Sequence, residues 1–318
     1  MLESNVHFPT DFNLLWDACR KCIELLSDLC IKHGLLGWRK CHDWKKKIKS
    51  LMRNCAEISR NGGANKEQRL KDIVASYLNK VYQLELKINE ALQSLLSCDL
   101  SPSQHIALQQ VRYFHDMLIK HIDLIERRIF KGEKIPHSEK VFSLFEPHTE
   151  WINKGKTNPS IELGHKLLIS TDQYGFILDY KVMVKTCDVN ETIALVDRLL
   201  NQYGEDCIAS FSVDKGFSSK ENRELLELFI PEVIMPKKGK RNLQEQNTES
   251  KKRFKLLRNK HSAIESNINS LEHHGLNRCP DKGFHGFQRY TGLGVLAYNL
   301  HKIGKQVLRC RQPLKKAA

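Results

Sequence analysis

Between residues 70 and 95 the apolar side chains fall in a strict order: Leu70, Val74, Tyr77, Val81, Leu84, Ile88, Ala91 and Leu95. Steps of four and three alternate throughout, the spacing that keeps one stripe of a helix against a neighbouring helix. A strand, with its period of two, cannot bury that set. After the turn Ser101-Pro102-Ser103 the stripe returns at Leu108, Val111, Leu118, Ile122, Ile125 and Ile129, with His115 in one seam position. The two stripes together predict a long antiparallel, coiled-coil-like helical hairpin. His115 reads as a seam or boundary residue, because a single imidazole has no ligand partner in register.

Two further helices are predicted ahead of this hairpin. Residues 1–10 read as extended up to Pro9, and Thr10 or Asp11 can cap a helix. Leu14, Leu15, Ala18, Cys22, Leu25, Leu26 and Leu29 then recur at helical spacing, with Gly34 as the stop. A basic helix over 36–59 carries Trp38 and Trp44 and ends at Asn61-Gly62-Gly63.

From Val141 the period changes. Val141-Phe142-Ser143-Leu144-Phe145 reads as strand, as do 166–170 and 176–184, the last two joined by the turn Asp172-Gln173-Tyr174-Gly175. A helix over 189–203 follows. Next come a strand ending at Asp214, a helix over 220–228 and a strand at Val233-Ile234-Met235. The polar stretch 237–252 reads as a loop. A single long helix is predicted over 254–273, and a final one over 290–308 with Leu293, Leu296, Ala297, Leu300 and Ile303 as its apolar stripe. A hairpin feeding alternating strands and helices predicts an α/β unit: a mixed sheet flanked by helices, preceded by an all-helical block.

Composition bounds the rest. No run approaches 18 apolar residues, so no transmembrane helix is expected, and the first residues lack the pattern of a signal peptide. A cytoplasmic protein is the expectation. The net charge of +14 points to a polyanion, because basic surfaces gain affinity by releasing counterions from nucleic acid. The ten cysteines are expected as free thiols. Cys19-Arg20-Lys21-Cys22, with Cys30, His33, Cys41 and His42 nearby, imitates a zinc site, but the second Cys-x-x-Cys pair is missing and Cys19 and Cys22 fall on a helical pattern.

Two acids stand out. Asp214 ends the apolar run Ile208-Ala209-Ser210-Phe211-Ser212-Val213, and Glu265 sits in a helical segment between Ile264 and Ile268. An acid at a strand end facing an acid on a helix can hold divalent metal for phosphoryl transfer. Taken singly, an Asp before Lys-Gly is usually a turn residue and a helical Glu usually a solvated one. Glu265 reads as lying close to the apolar side of its helix, where a carboxylate wants a partner.

The blocks around these acids are specific together. Asp214-Lys215-Gly216-Phe217, Ile234-Met235-Pro236-Lys237-Lys238-Gly239-Lys240 and His261-Ser262-Ala263-Ile264-Glu265-Ser266 resemble bacterial insertion-sequence transposases of the DDE class, nearest to the ISNCY-type group. The run from Leu271 to Gly283, and Asn5-Val6-His7-Phe8-Pro9-Thr10-Asp11 with Leu14-Leu15-Trp16-Asp17, resemble that group too. The resemblance implies an RNase H-like fold interrupted by a helical insertion. It also implies DNA strand cleavage and strand transfer dependent on Mg²⁺ or Mn²⁺, with double-stranded DNA (transposon ends and target) as partner. Asp214 then corresponds to the second catalytic, metal-binding acid and Glu265 to the third. Lys237, Lys238, Lys240, Arg241, Lys260 and His261 are placed near DNA. His261 and Glu272 depart from the wider class, which carries Arg and Lys there, and this puts phosphate-binding roles at both positions in doubt.

The same comparison places the family's first Asp just ahead of Glu3, so an N-terminally truncated chain is expected. Asp11 and Asp17 match other positions and do not replace it. The expected domains are a remnant of the first strand region over 1–10, a helical insertion over 11–135, the catalytic core over 136–310 and a basic tail over 311–318. Two functional readings follow: a transposase completed by a homo-oligomer or by an upstream segment, or a non-catalytic remnant that at most binds DNA. A coiled-coil scaffold rests on 65–130 alone.

Overall fold

The computed structural model describes residues 1–153, 155 and 160–311. The contacts divide it into two units, one of Val6–Pro147 and one of Met1–Asn5 with His148–Ala318. Residues 312–318, most of the expected basic tail, lie outside the described residues.

The helical unit contains α1 (Asp11–Lys32), α2 (Cys41–Arg60), α3 (Lys66–Leu95) and α4 (Pro102–Ile129). Thr10 caps α1 by accepting from the Asn13 amide. Ser101 and Gln104 form a reciprocal capping box at the start of α4, with Pro102 in its first turn. Seven of the eight seam residues of α3, from Val74 to Leu95, are buried in one core with α1 and α2. The Tyr77 hydroxyl donates to the Phe12 carbonyl at 3.1 Å and ties α3 to the start of α1.

The expected hairpin needs correction. α4 lies chiefly along α1, and α3 along α2; α3 and α4 meet over a shorter stretch. The reason is visible beside the seams. Leu78 on α3 and Leu124 on α4 are also buried, so each helix has an apolar face wide enough for more than one neighbour. His115 is buried on α4, in keeping with a seam position.

Val141-Phe142-Ser143-Leu144-Phe145 is not a strand. The Ser143 hydroxyl accepts from the amides of Phe145 and Glu146, and the Tyr113 hydroxyl donates to the Leu144 carbonyl. Side-chain bonds of this kind give the backbone an alternative to a ladder. Leu144 itself is buried in the helical core.

The second unit is mixed α/β. Its strands are β1 (Leu2–Ser4), β2 (Glu150–Asn153), β3 (Ile161–His165), β4 (Leu167–Thr171), β5 (Ile177–Val182), β6 (Ser210–Ser212), β7 (Glu232–Ile234) and β8 (Arg278–Cys279). Its helices are α5 (Asp188–Tyr203), α6 (Lys220–Phe229), α7 (Leu243–Ser250), α8 (Lys252–His261), α9 (Ala263–Leu271) and α10 (Gly283–Arg311). A four-stranded mixed sheet runs β2-β3-β1-β8, antiparallel except for β1 with β8. β4 and β5 form an antiparallel hairpin, and β6 and β7 a parallel pair.

Gly164 is required where β3 passes β1. A Cβ there would stand 2.1 Å from the Leu2 carbonyl oxygen and 2.7 Å from the Glu3 Cα. In the β4–β5 turn, the Asp172 carboxylate accepts from the amides of Tyr174 and Phe176, and Gly175 takes φ +79°.

One core of this unit gathers Leu195, Val196 and Leu199 of α5, Leu226 of α6, and Phe211, Val213 and Met235 around the β6–β7 pair. A second joins Leu2, Ile177, Val182, Leu271 and Cys279 to Phe287 and Val295 of α10. α10 approaches closely because Gly292 and Gly294 face Tyr180 and Leu276 with no Cβ between. The Asn299 amide group bonds both the N–H and the C=O of Ile177, fixing α10 to the edge of β5.

Three expectations for this unit are corrected. Within the stretch read as a loop, 243–250 is α7, started by an Asn242–Glu245 capping box. The predicted long helix over 254–273 is broken at Ser262 into α8 and α9, and a wider turn over Glu272–Leu276 follows, with Gly275 at φ +103°. On α10 the stripe from Leu293 to Ile303 is not the buried one. Phe287, Thr291 and Val295, also at helical spacing, point inward, while Leu293, Leu296, Leu300 and Ile303 are exposed. Among the described residues no helix is long and apolar enough to cross a membrane.

Candidate functional site

Asp214 owes its position to the end of β6, a strand with Phe211 buried at its centre. The Val213 amide donates to the Ile234 carbonyl, which carries the β6–β7 pairing one residue further, and Val213 is buried. The next side chain emerges: the Asp214 carboxylate is 66% exposed. A single turn over Lys215–Phe217 follows, closed by the Phe217 amide on the Asp214 carbonyl. α5 and α6 hold this turn from beneath. A Cβ on Gly216 would meet the Asp188 carboxylate at 2.9 Å, so the backbone passes directly over that side chain. The Asn222 amide donates to the Val189 carbonyl at 2.8 Å and to the Phe217 carbonyl at 3.4 Å.

Glu265 arrives from the other side. Phe254 and Leu257 of α8 are buried with Ile234 of β7, which seats α8 on the strand pair. At the end of α8 the Ser262 hydroxyl bonds back to the Asn259 carbonyl at 2.6 Å, and α9 starts anew at Ala263. Glu265 therefore lies in the first turn of α9, where the partial positive charge of a helix start favours a carboxylate. It is exposed, not set against the apolar side as a continuous helix implied. The break at Ser262 changes the direction in which the side chain leaves.

These two approaches meet in an open pocket of about 420 Å³, lined by Val213, Asp214, Lys215, Gly216, Pro236, Arg258, His261, Ser262 and Glu265. His261 Nε2 lies 3.3 Å from Asp214 Oδ1. The pocket thus joins two carboxylates, one imidazole and two cations.

The basic run after β7 is placed differently. Lys237 Nζ bonds both oxygens of Glu245, at 2.7 and 2.8 Å, and this hydrogen bonding lowers the Glu245 carboxyl below the ordinary range. Arg241 Nε bonds Glu249 at 2.7 Å, and the Lys237 amide donates to Glu249 at 2.9 Å. Both cations fasten α7 to the strand that precedes it. Lys238, Lys240 and Lys260 are exposed and do not line the pocket.

The cysteine-rich start of the chain offers no rival site. Cys19, Cys22 and Cys30 are buried free thiols, and burial pushes Cys22 up to about 12 and Cys30 up to about 11, which keeps them protonated and poor metal ligands. Among the described residues no three His, Cys, Asp or Glu side chains gather as a metal group. Asp11 is bound by Arg128 at 2.7 Å, and Asp17 lies between His7 and Arg20, so both serve the helical unit.

A family model described as a transposase DDE domain matches residues 134–300, more than half of the chain. The chain belongs to this DDE transposase family. No curated protein and no solved structure matches it. The match spans both pocket acids and every strand of their unit except β1. Within this transposase domain, reasoning from the sequence missed Lys215 and Arg258. A signal for Arg258 was present: Arg258, His261 and Ser262 stand three and four apart, the spacing of one helix face. The two exposed carboxylates lining this open pocket suit a hard divalent cation, which is held by one or two carboxylates and keeps several waters.

Proposed function

We propose that the pocket between β6 and the α8–α9 break is the phosphoryl-transfer site of this transposase, acting on transposon ends and target DNA. The observation that carries this is the convergence of Asp214 and Glu265, from elements 51 positions apart, on one pocket that also holds Arg258. Asp214 and Glu265 would supply oxygen ligands to Mg²⁺ or Mn²⁺. When bound, such a cation supplies Lewis-acid stabilisation for strand cleavage and strand transfer. His261 steadies the Asp214 carboxylate. Arg258 and Lys215 hold a backbone phosphate, and Lys238, Lys240 and Lys260 extend the basic track along double-stranded DNA. Lys237 and Arg241 serve that track by fixing α7. The sheet unit is read as RNase H-like and the helical unit as its insertion, on the strength of the resemblance to the ISNCY-type group.

A titration of the chain with Mn²⁺, followed by the loss of the free-ion resonance signal, tests the site. Asp214→Asn and Glu265→Gln are each expected to weaken binding about ten-fold or more, since each removes one of few charged ligands. Both side chains are exposed, so circular dichroism should not change. Equal binding by both variants and the unaltered chain would overturn the assignment.

A second reading is favoured by one observation: two acids, not three, line the pocket among the described residues. On this reading the chain at most binds DNA and does not cut it. Metal-dependent nicking of a DNA end by the purified chain, lost in Asp214→Ala, would sink it.

A further inference from the structure

We infer that Tyr298 and Asn267 are positioning residues for Glu265: the hydrogen bond between them aims α9 so that this carboxylate enters the pocket. The inference rests on the reading of that pocket as a metal site.

α9 needs such a hold. The break at Ser262 separates it from α8, so the seating of Phe254 and Leu257 on β7 is not carried forward to Glu265 by a continuous helix. Of the nine residues of α9 only Leu271, the last, is buried. Ile264 and Ile268 are half-buried. Apolar packing therefore anchors the far end of α9, and the turn that bears Glu265 depends on polar ties.

One tie reaches α9 from behind. The Tyr298 hydroxyl of α10 donates to the Asn267 side-chain oxygen at 2.7 Å and lies 3.2 Å from the Gly175 carbonyl in the β4–β5 turn. Asn267 stands two residues beyond Glu265, which is about 200° around a helix. A bond on that side holds α9 without occupying the face that carries Glu265. Burial, with Asp172 nearby, pushes the Tyr298 phenol above its ordinary value, so it stays protonated and able to donate. Tyr298 is itself well fixed. The next residue, Asn299, bonds both backbone groups of Ile177, and Phe287, Thr291 and Val295 are buried in the turns before it. Gly175 completes the fit: a Cβ there would meet the Asn267 amide group at 3.3 Å, so the β4–β5 turn passes close against α9.

The rival reading is a bond that only adds stability, like the one from the Tyr203 hydroxyl to the Leu178 carbonyl at 3.2 Å. The two readings differ in what they do to metal binding. Mn²⁺ titration of the full chain, read by loss of the free-ion resonance signal, separates them. Tyr298→Phe and Asn267→Ala are each expected to weaken Mn²⁺ binding about three- to ten-fold, the size of one hydrogen bond. Combined, they should do no more than either alone, because both break the same bond. The loss from Tyr298→Phe should persist beside Asp214→Asn and vanish beside Glu265→Gln, where no carboxylate is left to aim. Tyr203→Phe should leave binding unchanged. If Glu265→Gln had no effect, the metal site and this inference would fall together. A weakened Glu265→Gln with an unaltered Tyr298→Phe would overturn this inference alone. So would a Tyr298→Phe loss that persists in full beside Glu265→Gln, or one that Tyr203→Phe reproduces.

Discussion

Lys237 stands in the most basic run of the sequence, yet its ammonium is held by both oxygens of Glu245. Arg258 stands alone in a mixed stretch, yet it lines the pocket with the two acids. Local charge density therefore does not say which cations line the pocket; a carboxylate eight positions later folds back onto Lys237 and onto Arg241. A buried histidine, His165, gives the residue scale its own test. His165 Nε2 lies 2.9 Å from His148 Nδ1, and His165 Nδ1 faces the Met183 carbonyl at 3.1 Å and the Glu150 carboxylate at 3.4 Å. Burial pulls His165 below the usual histidine value, and the neighbouring Glu150 only partly offsets this. The unfolded chain therefore takes up this proton first as pH falls. Stability is expected to drop as pH falls through the ordinary histidine range near 6.5 and to level off below the folded value. Melting temperatures measured from pH 8 to pH 5 should show this drop, and His165→Asn should flatten it.

At the scale of elements, length decided what could be read. α1, α3, α5 and α6 run for several turns, and their apolar spacing exposes them. β8 has two residues, too few to display a period of two, and was not legible; β1, with three, was read only as part of the extended stretch 1–10. α7 was hidden by its polar composition, although Asn242 and Glu245 carry the capping-box spacing that marks a helix start. The break at Ser262 has no Pro or Gly to announce it; a serine hydroxyl bonding back to Asn259 ends the helix instead. The two pocket acids were legible because each sits in a recognisable block, but the direction of Glu265 was not, since it depends on that break. Gly164 offers the matching test. Gly164→Ala would drive a methyl group into the Leu2 carbonyl and force β1 away from β3. A loss of roughly 2–4 kcal/mol in urea unfolding is expected, in the range of severe steric substitutions. A loss below half a kcal/mol would show that β1 contributes little (about the size of a neutral surface change).

The whole molecule carries +14, and its pocket cations belong to one unit. Binding to double-stranded DNA should weaken steeply between about 50 and 200 mM salt, with a slope near −0.9 for each phosphate neutralised. Arg258→Ala should lower affinity at every sequence and reduce that slope by about one. A flat salt response would count against a phosphate-tracking surface. The order in which the chain visits its two units has a further consequence, which concerns how the protein is made. β1 is synthesised before its partner strands: Glu3 pairs with Gly164 and with Arg278, and the whole helical unit lies between in the sequence. At 5–20 residues per second, Leu2 and its neighbours wait on the order of ten to thirty seconds for their first partner strand. During that wait the helical unit, rich in contacts close in sequence, has time to fold. Slowing the folding of the helical unit should therefore expose Leu2 to chaperones on the ribosome before any defect appears in the pocket.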